Sequence, residues 1–330
     1  MKLFRALLLA MIPASGLLAQ GPLTPPPGDA PLPTMKTLDQ IEPRTPISAA
    51  PFIISASGSY YLAANIAVGA GGGDAITIDA DGVTLDLNGF TISSTASPAS
   101  GSGVRIDGRK NVTVRNGHIL GTTTFSGGVF TAGGFIHGVR NVSIFGVNLR
   151  VTDMSVHGVS GDGIELQGAA DPTYLVERCV VSVCGGSGIR AAIIRDCGAK
   201  TIGANAISGD IVSGSSGQTV NVISTAIGVL AASVAENCAG VATTGTGVSA
   251  YNANNCRGTS ASGVGLKANA NANNCEGISS SFSFGIEIIN GTASFCRGQS
   301  SGTAISAFNA VACTSNGGGI IATNKSLGTP

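Results

Sequence analysis

A repeat of about 20 residues runs through the C-terminal half of the chain. Five cysteines recur at nearly equal intervals: Cys238, Cys256, Cys275, Cys296 and Cys313. A second feature, a Gly or Ala followed by an aliphatic residue, recurs at the same spacing. Its first residues are Gly228, Gly247, Gly265, Gly285 and Ala304. Two marks that stay in step over five units predict the stacked turns of a solenoid, because each turn buries its apolar face only against its neighbours.

Short segments in the N-terminal half alternate apolar and polar residues, which is typical of strands with one buried face. They include residues 75–78, 83–92, 112–114 and 142–144. Equivalent positions are further apart here, at Val83, Val112 and Val142, than in the middle of the chain, at Gly163 and Gly188. The sequence therefore predicts an all-β solenoid of about a dozen turns, roughly 4.8 Å apart, with longer loops in its first turns.

Four segments resemble the opening coils of right-handed parallel β-helix proteins of the pectin-lyase-like superfamily. They are GSYYLAANI at 58–66, DAITIDADGVTLDLNGFTI at 74–92, GVRIDGRKNVTVRNG at 103–117 and SGDGIEL at 160–166. The resemblance covers about residues 50–323 and implies a right-handed parallel β-helix. It implies no single activity, because that superfamily includes lyases, glycoside hydrolases, epimerases, adhesins and uncharacterised exported proteins. The cysteine-marked repeat is most similar to uncharacterised secreted bacterial members.

The first residues predict an exported protein. Residues 1–19 combine a basic start, a short apolar stretch and small residues, which is typical of a secretory signal peptide. A membrane anchor is the alternative, and it would need a longer apolar stretch. We therefore expect the mature protein to be secreted, at the cell surface, outside the cell or in the periplasm.

The rest of the chain divides into a linker, a cap, the solenoid and a tail. Residues 20–33 are rich in proline and predict an extended linker. Residues 34–50 are predicted to cap the first turn with a short amphipathic helix over 34–42, since a solenoid end exposes unpaired strand edges. The β-helix is predicted over 51–323 and a tail over 324–330.

The composition argues against several kinds of partner. Lys and Arg together number 18, as do Asp and Glu, so the formal net charge is zero and there is no electrostatic basis for binding nucleic acid. After the signal peptide no apolar run is long enough to span a bilayer. Neither a cofactor nor a bound metal is predicted.

Seven of the eight cysteines fit one position of the repeat, and Cys184 is out of phase. In-register turns would stack the seven as an interior file of small, apolar thiols, and this is the interpretation that we favour. Two alternatives stay open. Disulfides between adjacent turns are geometrically permitted, and metal binding is disfavoured because the repeats lack histidine and a single file makes no tetrahedral site.

Charged residues and histidines gather between residues 137 and 196. If the protein is an enzyme, carboxylates from this region would serve as acid and base, and an arginine or histidine would stabilise an anion. The candidates are Asp153, Asp162, Glu165, His157 and Arg140. The alternative is that these charges only solvate outward strand positions, because no spacing among them specifies a mechanism.

The predicted function is non-catalytic: a secreted structural, surface or carbohydrate-associated β-helix whose partner is a polysaccharide or another cell-surface component. The alternative is a polysaccharide lyase or glycoside hydrolase acting in a groove near residues 137–178. The edge of the last turn offers unpaired backbone groups, so self-association through it is also predicted.

Overall fold

The computed structural model describes residues 44–143, 145–166, 173–220 and 225–326. These residues form a parallel β-solenoid of about 12 turns. The predicted signal peptide, the linker and the helix over 34–42 lie outside the described residues. In the described part of the chain, no helix is long and apolar enough to cross a membrane.

The described strands of the first turns are β1 (Thr45–Ile47), β2 (Phe52–Ile54), β3 (Gly58–Leu62), β4 (Ile66–Val68), β5 (Ile76–Ile78), β6 (Val83–Asp86), β7 (Thr91–Ser94), β8 (Ser102–Ile106), β9 (Lys110–Leu120), β10 (Thr124–Ser126), β11 (Val129–Thr131), β12 (His137–Asn141) and β13 (Val147–Val159). The middle turns contain β14 (Ile164–Leu166), β15 (Leu175–Glu177), β16 (Val180–Cys184), β17 (Ile189–Arg190), β18 (Ile193–Arg195), β19 (Gly198–Ile202), β20 (Ile207–Ser213), β21 (Ser216–Thr219) and β22 (Ile227–Glu236). The last turns contain β23 (Ala239–Ala242), β24 (Thr246–Asn254), β25 (Arg257–Ser260), β26 (Leu266–Asn273), β27 (Glu276–Ser279), β28 (Ile286–Ile288), β29 (Thr292–Ser294), β30 (Arg297–Val311) and β31 (Thr314–Ser326).

Parallel pairing between successive turns arranges these strands in three faces. Sheet A contains β2, β5, β8, β12, β14, β17, β28 and the middle or first parts of β20, β22, β24, β26, β30 and β31. Sheet B contains β1, β3, β6, β15, β18, β29, the first parts of β9 and β13, and the last parts of β20, β22, β24, β26, β30 and β31. Sheet C contains β4, β7, β16, β19, β21, β23, β25, β27, the last parts of β9 and β13, and the first parts of β30 and β31.

Two elements add to the pattern of turns that the sequence predicts. Strand β1 falls within the segment 34–50 that was predicted as the cap, and it pairs in parallel with β3 as part of sheet B. Strands β10 and β11 form an antiparallel hairpin within the long loop between sheets C and A.

The core consists of inward-facing residues stacked turn upon turn, and these residues become smaller along the chain. One file in sheet B runs through Leu85, Val114, Val151, Val176, Ile194, Val212, Ala235, Ala253, Ala272, Ala293 and Ala310, all of them buried. From residue 235 onwards every member is alanine. The interior of the later turns is therefore narrow, in agreement with their shorter repeat.

Glycines bring sheets A and C into backbone contact in these narrow turns. The inward position of sheet C is Gly240, then Gly258, and then Gly277 in successive turns. A Cβ built on Gly258 would overlap the carbonyl group of Gly265, which belongs to the glycine mark of the repeat on the sheet A side. Only a residue without a side chain permits this approach.

The corner between sheets B and C is formed in most turns by one residue in the left-handed backbone conformation. Asn237, Asn255 and Asn274 have φ angles of 54°, 52° and 52°. Asparagine tolerates this conformation better than most side chains. The Asn274 side-chain amide donates to Asn255 Oδ1 at 2.7 Å, so neighbouring corners are also bonded to one another.

The seven in-phase cysteines each follow one of these corners and point into the core. All eight cysteines are free and buried. Within the file, the backbone N–H of Cys256 contacts Cys275 Sγ at 3.4 Å, and the Cys256 thiol contacts the Asn254 carbonyl oxygen at 3.2 Å. In the turn without a cysteine, Ser215 takes the same position and its hydroxyl donates to the Ser213 carbonyl at 2.8 Å. The geometry agrees with an interior file of thiols.

The out-of-phase cysteine is also a core residue. Cys184 lies at the end of β16 and is buried. Burial raises the pKa of the Cys184 thiol to about 12, because the apolar surroundings disfavour the thiolate. This thiol therefore serves packing rather than nucleophilic chemistry.

The corner conformation gives a direct prediction. Asn255→Ala and Asn255→Gly both remove the amide bond to Asn274, but only glycine adopts a positive φ without a steric penalty. We expect the alanine variant to be less stable than the glycine variant by about 1 kcal/mol, measured by urea unfolding. Equal losses for the two substitutions at Asn255 would contradict the corner assignment.

Ala312 occupies the same kind of corner with a φ of 50°, so Ala312→Gly should stabilise the protein.

Candidate functional site

Four charged side chains form a column on the outer surface of sheet A. Strand pairing places Arg105 beside Arg140, Arg140 beside Glu165, and Glu165 beside Arg190. Each step is one turn of the solenoid, about 4.8 Å along its axis. The column runs from the first turns into the middle turns, whose cores are still wide, and contains several of the charges that gather between residues 137 and 196.

Glu165 is the buried centre of this column. Its side chain is only 7% exposed, and its carboxylate lies between two guanidinium groups. Arg140 Nε is 3.1 Å from Oε2, and Arg190 Nη1 is 3.6 Å from Oε1. Burial raises the pKa of the Glu165 carboxyl and the nearby Asp162 carboxylate raises it further, while Arg140 and Arg190 act in the opposite direction.

Asp162 is held at the corner that leads into sheet A. Its Oδ1 accepts a hydrogen bond from the Ser187 backbone N–H at 2.6 Å. Its Oδ2 accepts one from Arg190 Nη1 at 3.1 Å. Both carboxylate oxygens are therefore occupied by donors from the next turn.

His137 sits beside these carboxylates as a neutral hydrogen-bonding group. The Asp162 backbone N–H donates to His137 Nδ1 at 3.3 Å, and the same nitrogen is 3.7 Å from Glu165 Oε2. Burial lowers the pKa of His137 below its ordinary 6.5, and the Arg140 guanidinium lowers it further. A ring that accepts at Nδ1 carries its proton on Nε2. His137 is thus a donor at Nε2.

The Asp–Ser–Arg arrangement occurs twice on sheet A. Asp74 Oδ1 accepts from the Ser102 backbone N–H at 2.8 Å, and its Oδ2 is 3.4 Å from Arg105 Nη1. The order along the chain is the same as for Asp162, Ser187 and Arg190, with the arginine on the strand that follows the serine. The aspartate fixes the arginine against the sheet, so the arrangement is part of how turns of this region are held together.

A cavity of about 280 Å³ opens beside the first copy, between Arg105 and Arg140. Its lining includes Ser102, Arg105, His137 and Arg140, with Asp74 as its carboxylate. The Nε–H groups of Arg105 and Arg140 are buried and have no aligned hydrogen-bond acceptor among the described residues, since the Arg140 Nε–H is close to Glu165 but does not point at it. The guanidinium ends remain partly exposed, at 38% and 41% of their side chains. The cavity therefore presents more donors than acceptors.

The cluster also contains a possible set of metal ligands. A ring nitrogen of His137 and carboxylate oxygens of Asp162 and Glu165 lie within 4.8 Å of one another. Arg140 and Arg190 already contact these carboxylates, so their negative charge is compensated without a cation. A metal ion would have to displace the guanidinium groups, and this donor set fits an ion-pair network better.

Of the five candidates from the sequence, the structure brings together Arg140, Asp162 and Glu165. Asp153 lies elsewhere, at a corner between sheets B and C, with a φ of 56°. Its carboxylate is bound by Arg178 at 2.7 and 2.9 Å, and the hydrogen bonds from Arg178 lower the pKa of Asp153. His157 lies on sheet C with Nδ1 2.8 Å from Ser182 Oγ.

The sequence candidates did not include Arg105, His137 or Arg190. One signal in the sequence points to Arg190. Arg140, Glu165 and Arg190 are equally spaced along the chain, and each interval is one turn of the solenoid in this region. No such regular spacing marks Arg105, because the hairpin of β10 and β11 lengthens the turn between Arg105 and Arg140.

Comparison of the chain with protein-family models, with curated proteins and with solved structures found no match. The geometry of the site and of the faces around it therefore carries the functional argument.

The lowered pKa of His137 predicts a pH-dependent loss of stability. The unfolded chain takes up a proton at this histidine as the pH falls through 6.5, whereas the folded chain does so only at lower pH. The contribution of His137 is thus present above pH 6.5 and is lost as the pH falls towards the folded-state pKa.

Urea unfolding at pH 7 and pH 5 measures this effect. The wild-type chain should lose more stability between the two pH values than His137→Gln does. His157→Gln, a substitution at the exposed histidine on sheet C, is the matched control and should keep the wild-type difference. An unchanged difference in His137→Gln would show that the histidine does not titrate as its burial requires.

Proposed function

We propose that the protein is a non-catalytic, exported β-helix that binds a polysaccharide along sheet A. The observation that carries the proposal is the donor-rich cavity between Arg105 and Arg140. It lies near Asp162, whose carboxylate oxygens both accept hydrogen bonds, and Glu165, whose carboxylate is buried between two arginines. Hydroxyl and carboxylate oxygens of sugars are the acceptors that such a surface would bind.

The bonding of the carboxylates argues against acid–base catalysis. A general acid or base must reach the substrate proton within hydrogen-bonding distance. Both oxygens of Asp162 accept hydrogen bonds from the protein, and Glu165 lies buried between Arg140 and Arg190. His137 accepts a hydrogen bond at Nδ1, so its Nε2 holds a proton rather than a free lone pair.

The direction of the column favours a polymeric ligand. The guanidinium groups follow the axis of the solenoid, with Arg105 and Arg140 one turn apart and Arg190 two turns beyond Arg140, at roughly 10 Å. A chain laid along the axis would meet them in succession. Because Asp74, Asp162 and Glu165 balance the three arginines, recognition would depend on hydrogen-bond geometry rather than on net charge.

The sequence supports the remaining parts of the proposal. The signal-peptide pattern of residues 1–19 supports export. The resemblance of the segments at 58–66 and 74–92 to pectin-lyase-like proteins supports a right-handed coil, and the similarity of the cysteine-marked repeat to secreted bacterial members supports a bacterial origin. The observed parallel solenoid is compatible with export and with a right-handed coil. Its paired strands hold the outer face of sheet A in place, so a ligand would meet a preformed surface.

Binding and turnover assays separate this proposal from the enzyme alternative. The wild-type chain should bind members of a panel of acidic and neutral polysaccharides without shortening them. Arg105→Gln should weaken that binding by about tenfold, because it removes charge-assisted hydrogen bonds at the cavity. Arg257→Gln, which removes an arginine paired with Glu276 on sheet C, is the matched control and should bind as the wild type does.

Two results would contradict the proposal. One is the absence of polysaccharide binding under conditions where the chain is folded. The other is measurable cleavage of a polysaccharide that is abolished by Asp162→Ala or Glu165→Ala, since that outcome would assign the cluster to a lyase or glycosidase.

A second proposal concerns self-association. Strand β31 pairs with β30 along one edge, and among the described residues no strand pairs with its other edge. Such an edge offers backbone donors and acceptors to another chain. We expect the molecular mass by light scattering to rise with concentration, and a monomeric mass at millimolar concentration would contradict this proposal.

A further inference from the structure

Sheet C carries a second cavity, which lies apart from the charged column of sheet A. Its volume is about 380 Å³, and it extends from Val180 on β16 to Ala239 on β23. Strand pairing stacks Val180, Gly198, Ser216 and Ala239 in successive turns, so the floor of this cavity runs over three turn-to-turn steps, or roughly 14 Å. We call it the sheet C trough.

The trough exists because small residues occupy outward positions between larger ones. Val180 stands at one end and is 57% exposed, and Val241 stands at the side and is 40% exposed. Between them, the small residues Gly198, Ser216 and Ala239 form a depression in the surface. The backbone and side-chain carbons of these residues form a predominantly apolar floor.

Gly198 has no packing reason to be glycine. A Cβ built there would meet only Ser216 Oγ, at 3.9 Å, and the backbone at this residue is not in the left-handed region. By contrast, a Cβ on the inward Gly217 of the next turn would overlap the backbone of Gly228. Glycine weakens a strand because it loses more backbone freedom on folding than other residues do, so its use at an open outward position keeps the trough empty at the expense of stability.

The polar groups of the trough favour an anion. Lys200 is exposed and makes no ion pair among the described residues, and Gln218 adds an amide. No acidic side chain of the described residues lines the trough. An apolar floor with one unpaired cation at its side suits a ligand with a flat apolar body and one negative group.

We propose that the sheet C trough is a binding site for a small organic anion with a flat apolar body, such as an aromatic sulfonate or carboxylate. The inference is independent of the proposed polysaccharide binding, because the two sites lie on different sheets and share no residue. Loss of one function would leave the other measurable.

The probe is 8-anilinonaphthalene-1-sulfonate, titrated into the full chain and followed by its fluorescence. The wild type should show one saturable site. Gly198→Val should be at least as stable as the wild type, since valine favours strands, yet it should bind the probe about tenfold more weakly because its side chain fills the floor. This combination separates a filled site from a misfolded protein.

Removing the charge of Lys200 tests whether the trough prefers a negatively charged ligand. Lys200→Gln should weaken binding roughly threefold, the size expected for an exposed ion pair. The uncharged analogue N-phenyl-1-naphthylamine should bind the wild type and Lys200→Gln equally.

Two controls match the substitutions in chemistry but lie outside the trough. Gly319→Val adds valine at a position on sheet A with open space around it, and Lys267→Gln removes a lysine paired with Glu287. Both should bind as the wild type does. The inference is overturned if the wild type shows no saturable site, or if either trough variant binds the sulfonate as tightly as the wild type.

Discussion

The contact between the backbones of sheets A and C sets the cross-section of this solenoid. In the later turns the inward residue of sheet C is glycine, and it lies against a glycine such as Gly265 or Gly285 at the start of the sheet A strand. The missing side chains let the two sheets approach to backbone distance. Once they do, the inward positions of sheet B and of the corner that follows it hold alanine and cysteine, and sheet A keeps a larger aliphatic residue in each turn, such as Val248 or Leu266. The composition of the repeat follows from this one constraint.

The same constraint explains why the repeat could be recognised in the sequence. A turn with glycine, alanine and cysteine at fixed positions leaves a regular pattern, and the pattern predicted the stacking and the interior position of the thiols. The early turns have wider cores built from leucine, isoleucine and valine, which substitute for one another more freely. Their period is also irregular, because loops such as the one with the β10–β11 hairpin differ in length.

The candidate site could be predicted only in part, because the irregular period of these turns hides which residues lie side by side. Asp162, Glu165 and Arg140 were selected for their charge, and the structure places them together because the interval from Arg140 to Glu165 is one full turn. Asp153 carries the same charge but serves as a corner residue, a role that its neighbours in the sequence do not reveal. The sheet C trough depends on which residues of β16, β19 and β21 face outward, and this requires the register between turns.

The two proposed binding surfaces lie on the turns whose cores are wide or are becoming narrower. Charged residues occupy the outer face of the wide turns, where aspartates bind backbone N–H groups of the next turn and hold arginines against the sheet. The trough lies where the inward file of sheet C changes from Val181 through Ala199 to Gly217. The narrow turns beyond it form a regular scaffold, and their side chains mainly maintain the stacking.

The backbone contact can be tested with a single methyl group. Gly258→Ala places a Cβ against the Gly265 carbonyl, whereas Gly319→Ala places one in open space. The free energy of unfolding, measured for both variants in urea, should fall by more than about 3 kcal/mol for Gly258→Ala and change by less than about 0.5 kcal/mol for Gly319→Ala. Equal stability of the two variants would contradict the claim that contact between glycine backbones determines the width of the solenoid.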